Sequence, residues 1–189
     1  MTRTLIGGLI GGLAMYLVGF VFWGTPLAGL AFGTLSDQQS AAVQAALAQN
    51  LTASGTATYS VPSTATGQGT VMFGKGPVAT VHFNTNGFPA VDTTALLGGL
   101  VLALVAGVIF AAALGIVAKW VPTFTDRARA AILFALAVTL YLDLGQPIFN
   151  HYGPGYFIYT FLADFLGFVA AALVIARWFL PAARRADPA

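Results

Sequence analysis

The chain has no glutamate, no cysteine and very little charge of either sign. Without cysteine there are no disulfides, thiolate metal sites or Cys nucleophiles. Charged residues make up 7% of the 189 positions, against roughly 25% in an average soluble domain. Eight Lys or Arg and six Asp are too few to cover a water-facing surface, while 58% of the residues are hydrophobic and the mean hydropathy is +0.82. Lipid is therefore the expected main solvent, and the bilayer the first expected partner. The same scarcity excludes intrinsic disorder and a highly charged nucleic-acid binder, since the pI near 9.2 reflects a net charge of only +2.

What the chain has instead is long apolar runs. Residues 4–23, 94–118, 130–149 and 155–176 approach or exceed the roughly 20 residues that cross ~30 Å of hydrocarbon. The third run carries Asp143, Gln146 and Pro147 towards its end, and its pairing with the fourth as a hairpin supports it as a span. Between the runs lie an outer segment (24–93), a loop (119–129), an outer turn (150–154) and a tail (177–189). Arg3, Lys119, Arg127, Arg129, Arg177, Arg184 and Arg185 fall on one side of this scheme, and Lys75 alone on the other. By the positive-inside rule both termini are expected in the cytoplasm, across a bacterial inner membrane, with 24–93 outside. Trp120 and Trp178 then anchor the inner interface and Trp23 the outer one. The alternative for the first run is a cleaved secretory signal, but it is longer than the roughly 7–15 apolar residues of such signals. Its loss would also leave an odd number of spans.

The outer segment has its own pattern. Ser36 with Gln39 has the spacing of a capping box and opens a helix with Val43, Leu47 and Leu51 on one face. Residues 52–70 are twelve-nineteenths Ser, Thr or Gly, which predicts a loop or a strand pair with a mobile tip. GKGP then reads as a turn, and residues 78–84 alternate as a half-buried strand with Ala79, Val81 and Phe83 on one face. The expected fold class is thus an all-α integral membrane protein, a four-transmembrane-helix bundle with a small extracytoplasmic α+β cap.

Lipid supplies no hydrophobic drive for helix association, so small residues that let backbones approach mark the packing faces. The second span carries one at every fourth position: Ala95, Gly99, Ala103, Gly107, Ala111 and Gly115. The first holds two overlapping GxxxG pairs in Gly7, Gly8, Gly11 and Gly12; the third has Ala131, Ala135 and Thr139, and the fourth Ala163, Gly167 and Ala171. These stripes serve either to pack the four helices together or, in the long second span above all, to meet another protein.

Two of the six acids lie inside spans, where a carboxylate is costly unless it faces the protein and finds a partner. Counted from the midpoint between Gly153 and Pro154, in the outer Gly153–Pro154–Gly155 turn, Asp143 and Asp164 stand equally far along the two arms of a hairpin, roughly 10–15 Å deep at 1.5 Å per residue. They form a candidate proton or ion site; the alternatives are a lock on the hairpin, each Asp protonated or bonded to Tyr141, Gln146, Asn150, Tyr156 or Thr160, and a contact with a binding partner. A carrier is disfavoured by the lack of Glu, of Lys or Arg within the spans, and of inverted repeats. His82 falls on the polar face of a strand and His151 in the outer turn, so no metal site is expected. GxSxG, Walker A, dinucleotide and HExxH signatures are missing, and neither an enzyme activity nor a cofactor is expected.

The order of elements resembles an uncharacterised family of small four-span bacterial inner-membrane proteins. The resemblance rests on a Gly-rich first span ending in Phe22-Trp23, an outer segment with Gly55, Tyr59 and Pro62, then Gly76-Pro77, a Tyr152-Gly153 loop, Asp164 and a small-residue last span. It implies topology and no activity. The expected function is a non-enzymatic accessory or assembly subunit that docks on a larger membrane complex through its stripes and cap. The alternatives are a proton- or cation-coupled carrier, as a homo-oligomer built on Asp143 and Asp164, and a lipid or quinone site beneath the cap near Tyr141, Tyr152, Tyr156 and Tyr159.

Overall fold

The structure, a computed structural model, describes residues 2–180; Arg184, Arg185 and most of the 177–189 tail lie outside them. The chain is mostly helical and divides into two units, Thr34–Asp92 and the remainder. Four helices are long and apolar enough to cross a membrane: α1 (Thr2–Trp23) and, further along, Thr93–Val117, Phe124–Asn150 and Pro154–Trp178. That marks a multi-pass membrane protein.

The Thr34–Asp92 unit opens with α2 (Asp37–Leu51), where the Ser36 Oγ accepts from the Gln39 N–H (3.2 Å) and the Ser36 N–H donates to Gln39 Oε1 (2.9 Å). This is the reciprocal cap that the spacing predicts. Two short strands, β1 (Ala57–Val61) and β2 (Ala79–Phe83), pair antiparallel with Tyr59 opposite Val81. The expected loop between them is partly a helix, α3 (Gly67–Lys75). Its glycines hide it from a propensity reading, but Thr66 caps it by accepting from the Gly69 N–H (3.0 Å). Gly69 also passes so close to the Ser63 carbonyl that a Cβ there would overlap it. GKGP is the end of this helix, with Gly76 in the left-handed region at φ 66°.

The helical unit holds α1, α4 (Thr93–Val117), α5 (Phe124–Asn150) and α6 (Pro154–Trp178). Helix α5 begins six residues before its apolar run, because Thr123 caps it by accepting from the Asp126 N–H (3.1 Å). The turn into α6 is centred on Tyr152, since Pro154 already occupies the first helical turn; His151 takes the left-handed conformation that ends α5. The hairpin turn therefore falls earlier than the Gly153–Gly155 triplet suggests.

These four helices stand in the order α4, α1, α6, α5, with α1 between two neighbours and α5 held almost wholly by α6. The two GxxxG pairs of α1 divide the work. Gly8 and Gly12 lie against the backbone of α4 at Val108, Ala103 and Leu104, while Gly7 and Gly11 receive the side chains of Phe179 and Ile175. The α4 stripe is spent on the same seam: Gly107 touches Gly8 and Gly12, Gly99 faces Tyr16 and Gly115 faces Thr4. On α6, Gly167 meets Met15 of α1.

The shared core sits at the end where α4 turns into α5, around Ala111, Leu114, Ala131, Ala172 and Ile175. Arg127, 5% exposed, is turned inward there. Its Nε donates to the Val121 carbonyl (2.7 Å) and its Nη2 to that of Ala118 (3.0 Å). A helix end leaves its last carbonyls without partners, and here the guanidinium supplies them.

Candidate functional site

Asp143 on α5 and Asp164 on α6 come near each other across the α5–α6 seam, close enough for the charge of Asp143 to act on the Asp164 carboxyl. Asp143 continues the small-residue face of α5 that meets α6: Ala131, Ala135 and Thr139 are buried one turn apart, the last with its hydroxyl returned to the Ala135 carbonyl (2.8 Å). One carboxylate oxygen of Asp143, Oδ2, is buried and makes no hydrogen bond. Asp164 follows buried Ala163 but is itself exposed, on the outside of the helical unit. A mid-span carboxyl on an outward surface is thus placed beside a half-buried one, of which a single oxygen is buried without a partner.

Pro147 adds a third polar group. Proline has no N–H, so the carbonyl four residues earlier, that of Asp143, loses its ordinary helical donor. One residue thus combines a carbonyl without its i+4 helical donor and a carboxylate oxygen without a hydrogen bond.

None of the expected hairpin-locking groups reaches the pair. The Thr160 hydroxyl donates to the Tyr156 carbonyl on its own helix (3.0 Å), and Asn150 Nδ2 donates to Gln146 Oε1 (3.0 Å). Tyr141 points away, 67% exposed. The Tyr156 ring instead packs with Trp23 (5.9 Å), Phe32 (5.5 Å) and Phe157 (5.2 Å). Tyr159, whose role as a helix clamp sequence reasoning missed, donates to the Phe22 carbonyl (2.6 Å) and meets the Trp23 ring edge-on at 5.1 Å. Its i+4 spacing to Ala163 and Gly167, the small face of α6, was the available signal.

Other groups stay apart. His82 pairs across the strands, its Nδ1 3.0 Å from the Thr58 hydroxyl. Among the described residues no cluster of three His, Cys, Asp or Glu has the geometry to hold a metal. An apolar cavity of about 330 Å³ opens between α1 and α4, walled by Tyr16, Phe20, Trp23, Leu96 and Gly99.

No protein-family model, no curated protein and no solved structure matches this chain.

Proposed function

We propose that this chain is a non-enzymatic accessory or assembly subunit of a larger membrane complex, and that it docks through the outward face of α5 and α6. One observation carries the reading: Asp164 stands exposed in mid-span beside an Asp143 oxygen that is buried without a partner. Facing hydrocarbon, such a pair is costly; covered by another protein, it is a specific contact. The small-residue stripe of α4, the other surface considered for docking, is already packed on α1. Helix α5 adds a broad free surface, with Phe134, Tyr141, Ile148 and Phe149 each about two-thirds exposed or more.

The membrane is a bacterial inner membrane with both termini in the cytoplasm. Supporting this, the start of α1, the α4–α5 turn and the end of α6 meet at one end, which gathers Arg3, Lys119, Arg127, Arg129 and Arg177. Lys75 belongs to the other unit.

Gentle detergent extraction from native membranes tests the reading. A stoichiometric complex that loses its partner in Asp164→Leu, with the variant still folded, is the expected result. A lone homo-oligomer would overturn it and favour the runner-up, a proton- or cation-coupled carrier. That reading draws on the proximity of the two carboxyls and the Asp143 carbonyl that Pro147 deprives of its helical donor. A lipid or quinone ligand is the third reading, supported by the α1–α4 cavity.

A further inference from the structure

The charges of the helical unit are strongly polarised, and the structure shows which of them are free to act. At one end stand four exposed cations from four helix termini: Arg3 on α1, Lys119 after α4, Arg129 on α5 and Arg177 on α6. Arg127 is excluded, because its guanidinium is spent on the Ala118 and Val121 carbonyls just after α4. Arg3 is tied by one bond, from Nη2 to the Trp178 carbonyl (2.8 Å). Arg177 lies 5.9 Å over the Phe124 ring, a contact that positions the guanidinium without neutralising it.

Among the described residues a single acid opposes them. Asp126 accepts from the Thr123 hydroxyl at 2.6 Å and sits 3.8 Å from an Arg129 side chain that is 74% exposed, a geometry too loose and wet to cancel the charge. Trp120 and Trp178 stand at the same end, 84% and 58% exposed. At the opposite end of this unit, residues 24–33, 93–95 and 150–155 contain no Lys, Arg, Asp or Glu.

We propose that this basic end binds the headgroups of anionic phospholipids, with Arg3, Lys119, Arg129 and Arg177 contacting phosphate and Trp120 and Trp178 seated at headgroup depth. The complementarity is one of sign and of place. Cations near an anionic leaflet are attracted to it, and indole rings prefer that same layer. Because the cations come from four separate helix ends, they meet a lipid surface and not one small anion. The proposal stands independently of the docking face on α5 and α6.

The test uses the full chain carrying Trp23→Phe, so that Trp120 and Trp178 are the reporting indoles, reconstituted in phosphatidylcholine vesicles. Brominated phosphatidylglycerol is expected to quench their fluorescence more than brominated phosphatidylcholine at equal mole fraction. The preference should fall about 5-fold for each exposed cation replaced, in Lys119→Gln, Arg129→Gln and Arg177→Gln, and should weaken as salt rises. Arg129→Gln alone, a largely exposed side chain whose one ion pair is the 3.8 Å contact to Asp126, keeps the test valid where the combined variant does not fold. Equal quenching by the two lipids would overturn the proposal. So would displacement of phosphatidylglycerol by inorganic phosphate, which would point to a free-phosphate site.

Discussion

Helices α1 and α5 have similar apolar composition and opposite roles. Helix α1 buries its glycines: Gly7, Gly8, Gly11 and Gly12 are its buried residues, and its large side chains face outward. Helix α5 also buries small residues, Ala128, Ala131, Ala135, Thr139 and Gly145, but almost wholly against one neighbour. In lipid the stability of a helix pair depends on how closely the backbones approach, and large apolar side chains gain nothing by moving from hydrocarbon to protein. The central helix is therefore the one with small residues on two faces. The edge helix is the one whose remaining surface is left for something else.

The sharpest way to break this contrast is at the α1–α4 seam. Gly12→Leu should cost about 3 kcal/mol or more, because the added atoms meet the backbone of α4 at Ala103 and Leu104, which has no rotamer to yield. Thermal unfolding in detergent should show a large drop in midpoint or no folded protein. Next is Arg127→Ala, which leaves the Ala118 and Val121 carbonyls without their charged donor and should cost about 2–3 kcal/mol by the same measurement. Arg127→Lys should recover only part of this, since one ammonium cannot reproduce the guanidinium fork.

On the other face of α1 the expected effect is smaller. Gly11→Ala places its Cβ 2.7 Å from both Cδ1 and Cγ1 of Ile175, a fully buried side chain that must shift, so the cost should be about 1–2 kcal/mol. Phe134→Ala on the free face of α5, where the ring is 68% exposed, should change the stability of the isolated chain by less than about 0.5 kcal/mol. Asp164→Leu should likewise leave the isolated chain as stable or slightly more so, while abolishing co-purification of the proposed partner. A large loss of stability in either variant, Phe134→Ala on α5 or Asp164→Leu on α6, would show that the outward α5–α6 face is structural and sink the contrast.

Parts of this architecture were legible residue by residue. The Ser36–Gln39 cap and the β2 alternation report local hydrogen bonding and pleat, which neighbouring residues decide. The juxtaposition of Asp143 with Asp164 was accessible by counting along the arms of a hairpin, although the turn is centred on Tyr152. Helix α3 was not legible, because its glycines argue against a helix and only the Thr66 cap and the contact at Ser63 stabilise one. The docking role of the α4 stripe was ambiguous for another reason. A row of small residues says that a backbone comes close, but not whose.

By itself the sequence determined the solvent, the number of long apolar helices and the scarcity of charge, because hydropathy and length act on each segment separately. Only the tertiary structure decided the order α4, α1, α6, α5, the pairing of each GxxxG with its own neighbour and the inward turn of Arg127. It also decided that Asp164 faces out while an oxygen of Asp143 is buried. The physical reason is the same throughout: hydrocarbon rewards every apolar face alike, so which faces meet is settled by close packing and polar pairing between segments distant in the chain.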